Sequence, residues 1–330
     1  HAASFAILAY ISSWMKCHHP EVFCCALLNA WPMGFYQPAQ IVRDAREHGV
    51  EVRPVDVNHS HWDCTLEPMA GPYKAVRLGM RLVSGLGNEA GAGIIVARGA
   101  LPYESVEELW LRSGATAAAL ELLAEADAFG SIKLRRRDAL WAVKGLANKP
   151  LPLFAAQDRV HRPLPEIVEQ PVLLAAMSDG NEVVEDYRHI GLTLRQHPLF
   201  FLREELTRQK TVTAAALKSL PNGSFVTVAG LVLVRQKPGT AKGVLFMTIE
   251  DETAAANIIV WPDLFERERR VLLSAPMIGC AGQLQREGEV IHLVARRFID
   301  YSVLLGQIGG KGLAGRPLYN ELEFGARNFC

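Results

Sequence analysis

A chain of 330 residues with 49% hydrophobic and 21% charged residues is long enough for two or three cores and too apolar to be disordered throughout. Lysine plus arginine and aspartate plus glutamate both total 35, so net charge advertises no polyanion partner and any basic face must be local. Six irregularly spaced cysteines (Cys17, Cys24, Cys25, Cys64, Cys280, Cys330) argue for reduced thiols in a cytoplasmic protein, and the sequence contains neither a signal-peptide pattern nor a long charge-free apolar run.

The chain opens at His1 inside a helical pattern and without a methionine, so a longer polypeptide with an upstream part is expected. Ala2 to Lys16 carries Phe5, Leu8, Ala9, Ser12 and Met15 at helical spacing, Pro20 interrupts it, and Glu21 to Leu28 continues as a second helix. The Cys17-His18-His19 and Cys24-Cys25 cluster invites a zinc reading. Adjacent ligands on one helix diverge, however, and no CxxC pair is present, so no metal site is assigned. Ile41 to His48 forms a third helix stopped by Gly49, followed by an extended connection from Arg53 to Asn58.

Val76 to Val83 leads into Ser84-Gly85-Leu86-Gly87, and a helix follows from about Asn88 to Arg98. An apolar-x-Gly-apolar-Gly turn between two short helices is the helix-hairpin-helix signature, in which backbone amides and the next helix's N-terminus face a phosphate. Ser84, Gly85, Leu86, Gly87 and Asn88 are therefore candidate DNA contacts. Another helical pair follows, Val106 to Leu111 and Ala117 to Ala124. Arg135-Arg136-Arg137 then lies on the approach to a helix ending near Val143, as either a solvated helix end or a second phosphate contact.

From Asn148 to about Asp179 the chain is proline-rich. Its Leu151-Pro152-Leu153-Phe154 looks like the end of a sliding-clamp-binding peptide, with linker packing as the alternative. Five apolar segments then alternate with one helix after the third: Phe225 to Lys237, Val244 to Glu250, Asn257 to Trp261, Ile278 to Arg286 and Val290 to Arg297. This is the pattern of a five-stranded OB-fold barrel. Gly230 is expected where the first strand bends or bulges. Lys237 and Lys242, in the basic first loop, are candidate phosphate contacts. Phe246, Trp261 and Phe265 are stacking platforms or core, and Phe246 is the chosen candidate. The fold class is α+β and multidomain.

Taken in order, His1 to Ala6, Trp14 to Pro20, Asp56-Val57-Asn58, the Val83 to Gly87 hairpin and the barrel resemble the C-terminal part of a C-family bacterial DNA polymerase, the polymerase III alpha subunit. Gln37-Pro38-Ala39-Gln40, Val52 to Asn58, Trp62 to Glu67, Leu151 to Phe154, Val232 to Gly239 and Val260 to Phe265 resemble the error-prone, damage-inducible branch.

The resemblance implies a division into the end of a fingers region (1–74), a tandem helix-hairpin-helix module gripping duplex DNA (75–147), a linker (148–184), an OB module near single-stranded template (185–300) and a glycine-rich, disordered tail (301–330). His1 and Ser4 would lie near the incoming nucleotide's phosphates, or serve in core or capping roles. Magnesium would belong to an upstream palm whose motif this sequence lacks, so the chain alone is expected to be inactive and to need no cofactor. Translesion synthesis after damage is the implied role, with DNA, mutagenesis-cassette proteins and a sliding clamp as partners and no membrane. A free-standing nucleic-acid-binding accessory module and a protein-interaction adaptor are the alternatives.

Two departures from the family pattern carry expectations. Ala254 stands where relatives place glycine in the hairpin after Asp251-Glu252-Thr253, which predicts a remodelled turn. Gly91 and Gly93 each cost their helix about 1 kcal/mol relative to alanine, which predicts a looser DNA grip.

Overall fold

The computed structural model describes residues 2–33, 36–146, 174–309 and 327–329. They form two compact units, 1–177 with 189–191, and 178–188 with 192–330.

The first unit begins with three helices, α1 (Ala2–His18), α2 (Pro20–Ala30) and α3 (Pro38–Glu47). The α1 helix is apolar on nearly every side, yet none of its residues is buried. By contrast α2 turns Cys24, Cys25 and Leu28 inward. At the end of α2, Asn29 holds the backbone of Cys64, accepting its N–H at 2.7 Å and donating to its carbonyl at 2.9 Å.

A small sheet follows, in which β3 (Ala75–Arg77) lies between β1 (Val52–Arg53) and β2 (Thr65–Glu67). Val76 is its buried centre, opposite Val52 in the parallel ladder and Leu66 in the antiparallel one. This sheet joins residues on either side of position 74, where the sequence suggested a division. Beyond it run α4 (Asn88–Arg98), α5 (Val106–Ser113), α6 (Ala117–Glu125) and α7 (Arg136–Lys144). Their inward apolar positions, including Ile94, Leu109, Leu120, Leu123 and Val143, are almost fully buried. Burying each such side chain contributes about 1.5–3 kcal/mol.

In the second unit, β4 (Phe225–Gln236), β5 (Leu245–Glu250), β6 (Ala255–Val260), β7 (Met277–Glu287) and β8 (Val290–Asp300) close into a barrel. The order is β5-β6-β8-β7-β4, and β4 also pairs with β5. The β6–β8 pairing is parallel. Between β6 and β7 lie α10 (Pro262–Arg267) and α11 (Arg269–Ser274), after α8 (Asp179–Ile190) and α9 (Arg203–Arg208) earlier in the unit.

Alternation separates two cores. Val228, Val232, Met247, Ile258 and Leu293 fill the barrel. Ala229, Leu231 and Met277 point outward and are covered by Val184, Leu199, Leu202 and Leu206. Arg235 is buried at the barrel's end, where its Nη2 donates to the Ala275 carbonyl at 2.6 Å.

Three expectations need correction, and the turn at Ala254 has a local cause. The β4 bulge falls between Val232 and Val234. Gly230 instead permits close approach, because a Cβ there would stand 2.8 Å from the Glu250 carbonyl oxygen. Ala254 is not among the positive-φ residues. Asp251 makes the turn by itself, its Oδ1 accepting from the N–H groups of Thr253 at 2.8 Å and Ala254 at 3.0 Å, an aspartate-based turn that needs no glycine.

Residues 179–184, expected within the linker, are helical and contribute Val183 and Val184 to the interior. The start of the supposed disordered tail is likewise folded. A helix, α12 (Ser302–Leu305), follows β8, and Tyr301, Leu305 and Ile308 are buried in the outer core. The one-turn spacing of those three residues outweighs the glycines around them. At the far end β9 (Arg327–Phe329) pairs in parallel with Val234–Gln236.

Candidate nucleic-acid interface

In the first unit the glycine turn is built from below. Met80, Leu82, Val83 and Leu86 are buried and anchor it, while Ser84, Gly85, Gly87 and Asn88 lie on the surface. The segment before the turn is a single 3-10 turn, Met80–Leu82, rather than the short helix expected. Gly85 has φ +79°, a conformation available to glycine at little cost. Gly87 precedes α4 at φ −75° and ψ 145°, and no side chain caps the helix there. The first-turn amides thus keep their donors for water or an anion. A Cβ added at Gly87 would meet nothing within 4 Å. Leu86 serves the turn through its backbone, since its side chain is core. Glu89 in the first turn of α4 opposes an anion, so the turn's contribution is directional donors rather than net charge.

The later helix starts differ. Thr116 caps α6, its Oγ1 accepting from the Ala119 N–H at 3.2 Å. The start of α7 carries no side-chain cap and is cationic, with Lys133 and Arg135 exposed. Arg136 corrects the expectation of three phosphate-facing arginines. It is 2% exposed, and its Nη1 donates to the Glu125 carbonyl at 2.8 Å, closing the C-terminal end of α6. Arg137 is partly buried and donates to the Ala175 carbonyl at 2.9 Å. Arg135 is therefore the exposed member of the triplet.

One group has a role that the sequence did not assign. Asp56 is buried, and its Oδ2 accepts from the Ser131 N–H at 2.9 Å while Oδ1 accepts from the Asn58 N–H at 2.8 Å. Asn58 in turn donates to the Tyr103 carbonyl at 2.9 Å and accepts from the Tyr103 N–H at 2.7 Å. Asp56 and Asn58 tie the loops before α5 and α7 to one turn, closed by the Ser60 N–H on the Asp56 carbonyl at 2.8 Å, which fixes the spacing of the helical turns. The Asp-Val-Asn motif was the available signal.

In the second unit the outward face of β5, β6 and β8 forms a wall. Phe246 pairs with Ile259, and Ile259 with Val294. Val260 and Leu245 point into the core, so Trp261, still extended at φ −71° and ψ 152°, continues the Ile259 face. Trp261 is 52% exposed and Phe246 38% exposed. Phe265 is buried core instead, with the Lys237 ammonium 4.0 Å from its ring centroid. Lys242 is exposed in the left-handed region at φ +50°. The wall thus offers two aromatic faces beside a basic loop, the arrangement used to hold single strands.

Of the remaining candidates, Ser4 is exposed on α1, whereas His1 and the clamp-like Leu151, Leu153 and Phe154 lie outside the described residues. Cys24, Cys25 and Cys64 are buried. Burial pushes the Cys24 thiol up to about 12 and the Cys64 thiol up to about 11, which keeps both protonated at neutral pH. Among the described residues no group of three His, Cys, Asp or Glu side chains is placed to hold a metal ion. Among them, too, no helix is long and apolar enough to cross a membrane.

Known proteins match the same regions. The helix-hairpin-helix motif matches residues 49–139, and the OB-fold nucleic acid binding domain matches 226–301. Error-prone DNA polymerase 1 of Agrobacterium fabrum is 57% identical over 95% of this chain. Error-prone DNA polymerase 2 of Rhizobium meliloti is 58% identical over 96%, and the Error-prone DNA polymerase of Allorhizobium ampelinum 55% over 98%. The chain is homologous to the error-prone DNA polymerases. It spans 30%, 29% and 29% of these three curated relatives' lengths, under a third of each.

Proposed function

We propose that this chain is the DNA-holding portion of an error-prone DNA polymerase acting in damage-induced translesion synthesis. The observation that carries the proposal is the Gly85–Gly87 turn, which presents an uncapped helix start on open surface within a helix-hairpin-helix match. Duplex DNA is held there through backbone amides and through the cationic start of α7 at Lys133 and Arg135. Single-stranded template runs along the Phe246–Trp261 wall. Phosphate contacts supply affinity without sequence preference, as a polymerase requires.

Nucleotidyl transfer and its magnesium ions belong to a palm outside this sequence. The unburied apolar residues of α1, Phe5, Leu8 and Trp14 among them, pack against that part of the polymerase, with His1 and Ser4 near the nucleotide. A sliding clamp engaging Leu151, Leu153 and Phe154, and the mutagenesis-cassette proteins, are the further partners proposed, in the cytoplasm.

The test is fluorescence anisotropy of the chain with a primer-template junction, a duplex and a single strand over a salt series. Binding that is strongest at the junction and falls with salt supports the proposal. Failure to bind any of the three at low salt overturns it in favour of a protein-interaction adaptor.

A further inference from the structure

Beside the apolar row of the barrel wall runs a polar one. Thr248 pairs with Asn257, and Asn257 with His292, one step along each strand from Phe246, Ile259 and Val294. The Thr248 hydroxyl donates to Asn257 Oδ1 at 3.1 Å. That bond turns the amide oxygen toward Thr248 and orients the NH2, so what Asn257 offers outward from the exposed face is chiefly its pair of donors. Next to it, His292 Nδ1 is buried without a hydrogen-bond partner among the described residues. A buried polar atom left in that state is stabilised when a ligand, or rotation of the ring, completes its bonding.

We propose that Asn257 reads the edge of an unpaired base stacked on the Phe246–Trp261 face and makes the wall selective for bases that carry a carbonyl. The inference rests on that wall being a single-strand surface. Phe246 and Asn257 lie on neighbouring strands, offset by one register step of about 7 Å, so a base resting on the Phe246 ring extends its polar edge toward the Asn257 amide. Of the four DNA bases, thymine, cytosine and guanine present an exocyclic carbonyl that accepts from the NH2. Adenine accepts only through ring nitrogens, and beside N1 and N7 its exocyclic amine meets the second Asn257 donor as a like group, so its pairing with a doubly donating amide is the poorer one. Thr248 is a positioning residue that acts through Asn257, and His292 rotates to complete the polar row when the base edge arrives.

The experiment compares labelled oligo-dT and oligo-dA of equal length binding to the full 330-residue chain and four variants, Asn257→Ala, Thr248→Val, Phe246→Ala and Trp261→Ala. The wild type is expected to favour dT by roughly fivefold, the scale of one hydrogen bond. Asn257→Ala should remove that preference by weakening dT alone, and Thr248→Val should reduce it in the same direction. Phe246→Ala and Trp261→Ala should weaken both strands alike, by about tenfold. Asn257 is surface-exposed, so loss of folding does not confound its variant.

Self-stacking of oligo-dA also favours dT, but that effect survives the Asn257 substitution. A dT preference unchanged in Asn257→Ala, or absent from the wild type, overturns the base-reading role while leaving the stacking wall intact. If neither aromatic variant weakens either strand, the wall is not a single-strand surface and the base-reading role falls with it.

Discussion

A methyl group added at Gly91 would stand 2.8 Å from Cε3 of the Trp62 indole. The glycine that weakens α4 in isolation is thus the one that lets Trp62 lie against the helix. Gly93 has no such neighbour, its nearest being the Ser113 carbonyl oxygen at an ordinary 3.7 Å. Replacing each by alanine separates packing from propensity. Gly93→Ala should raise stability by about 0.5–1 kcal/mol, whereas Gly91→Ala should lower it by about 1–3 kcal/mol as the indole is displaced. Thermal melts of the two variants against wild type decide this, and a rise in both would show that the Trp62 contact yields easily.

The two turn glycines separate in a different way. Gly85 needs its positive φ, and a Cβ added there would stand 3.6 and 3.7 Å from the Leu122 methyl groups, so Gly85→Ala should cost about 1–2 kcal/mol of fold stability. Gly87 is at an ordinary φ with open space before it. Gly87→Val should leave the melting temperature nearly unchanged while weakening duplex binding about tenfold and uniformly across sequences, because the side chain stands on the surface proposed to face a phosphate. Unaltered binding in this folded variant would remove the turn from the interface.

The barrel was legible because β5 and β6 alternate cleanly, because β4 and β7 are long apolar runs, and because its helix and turns carry proline and glycine at their edges. The Ile258, Val260 and Leu293 positions follow from period two alone. What could not be read were choices made by tertiary contact. Nothing local distinguishes Arg136 from Arg135 and Arg137, and only the chain reversal after Glu125 gives the buried guanidinium a carbonyl to cap. Phe246 and Trp261 have the same composition signal as Phe265, and strand register decides which face outward. For residues 302–308 the glycines that begin at Gly306 are the conspicuous signal, whereas Tyr301, Leu305 and Ile308 become a pattern only against the outer face of β4 and β7.

The arginine triplet therefore predicts two distinct phenotypes. Arg135→Ala and Lys133→Ala should each reduce the slope of log affinity against log salt by roughly one unit, with melting temperatures unchanged. Arg136→Ala removes the donor to the Glu125 carbonyl and leaves a cavity where the stem was, so it should cost about 2–4 kcal/mol of stability. Any loss of DNA affinity in that variant should follow its loss of folding. A salt slope that drops in Arg136→Ala with full stability would restore the residue to the interface.

The barrel's own keystone is Asp251, which is 0% exposed. Burial alone would raise its carboxyl, but the Thr253 hydroxyl and the N–H groups of Ala214, Ala254 and Thr253 hold it below the usual aspartate range. Arg203 lies beside it, with Nη2 3.0 Å from Oδ2. A folded pKa below the unfolded one means that the stabilisation is complete above the unfolded value of about 4 and is lost as pH falls through the folded value. Asp251→Asn removes the charge and turns an amide donor toward donors that have lost their acceptor, so it should destabilise the barrel by about 3 kcal/mol at pH 7. The difference between wild type and variant should then shrink between about pH 4 and the acid limit of folding. Urea midpoints of both proteins at pH 7 and about pH 3 measure it. A gap that stays constant over that range would mean that the hydrogen-bond geometry, not the carboxylate charge, carries the turn.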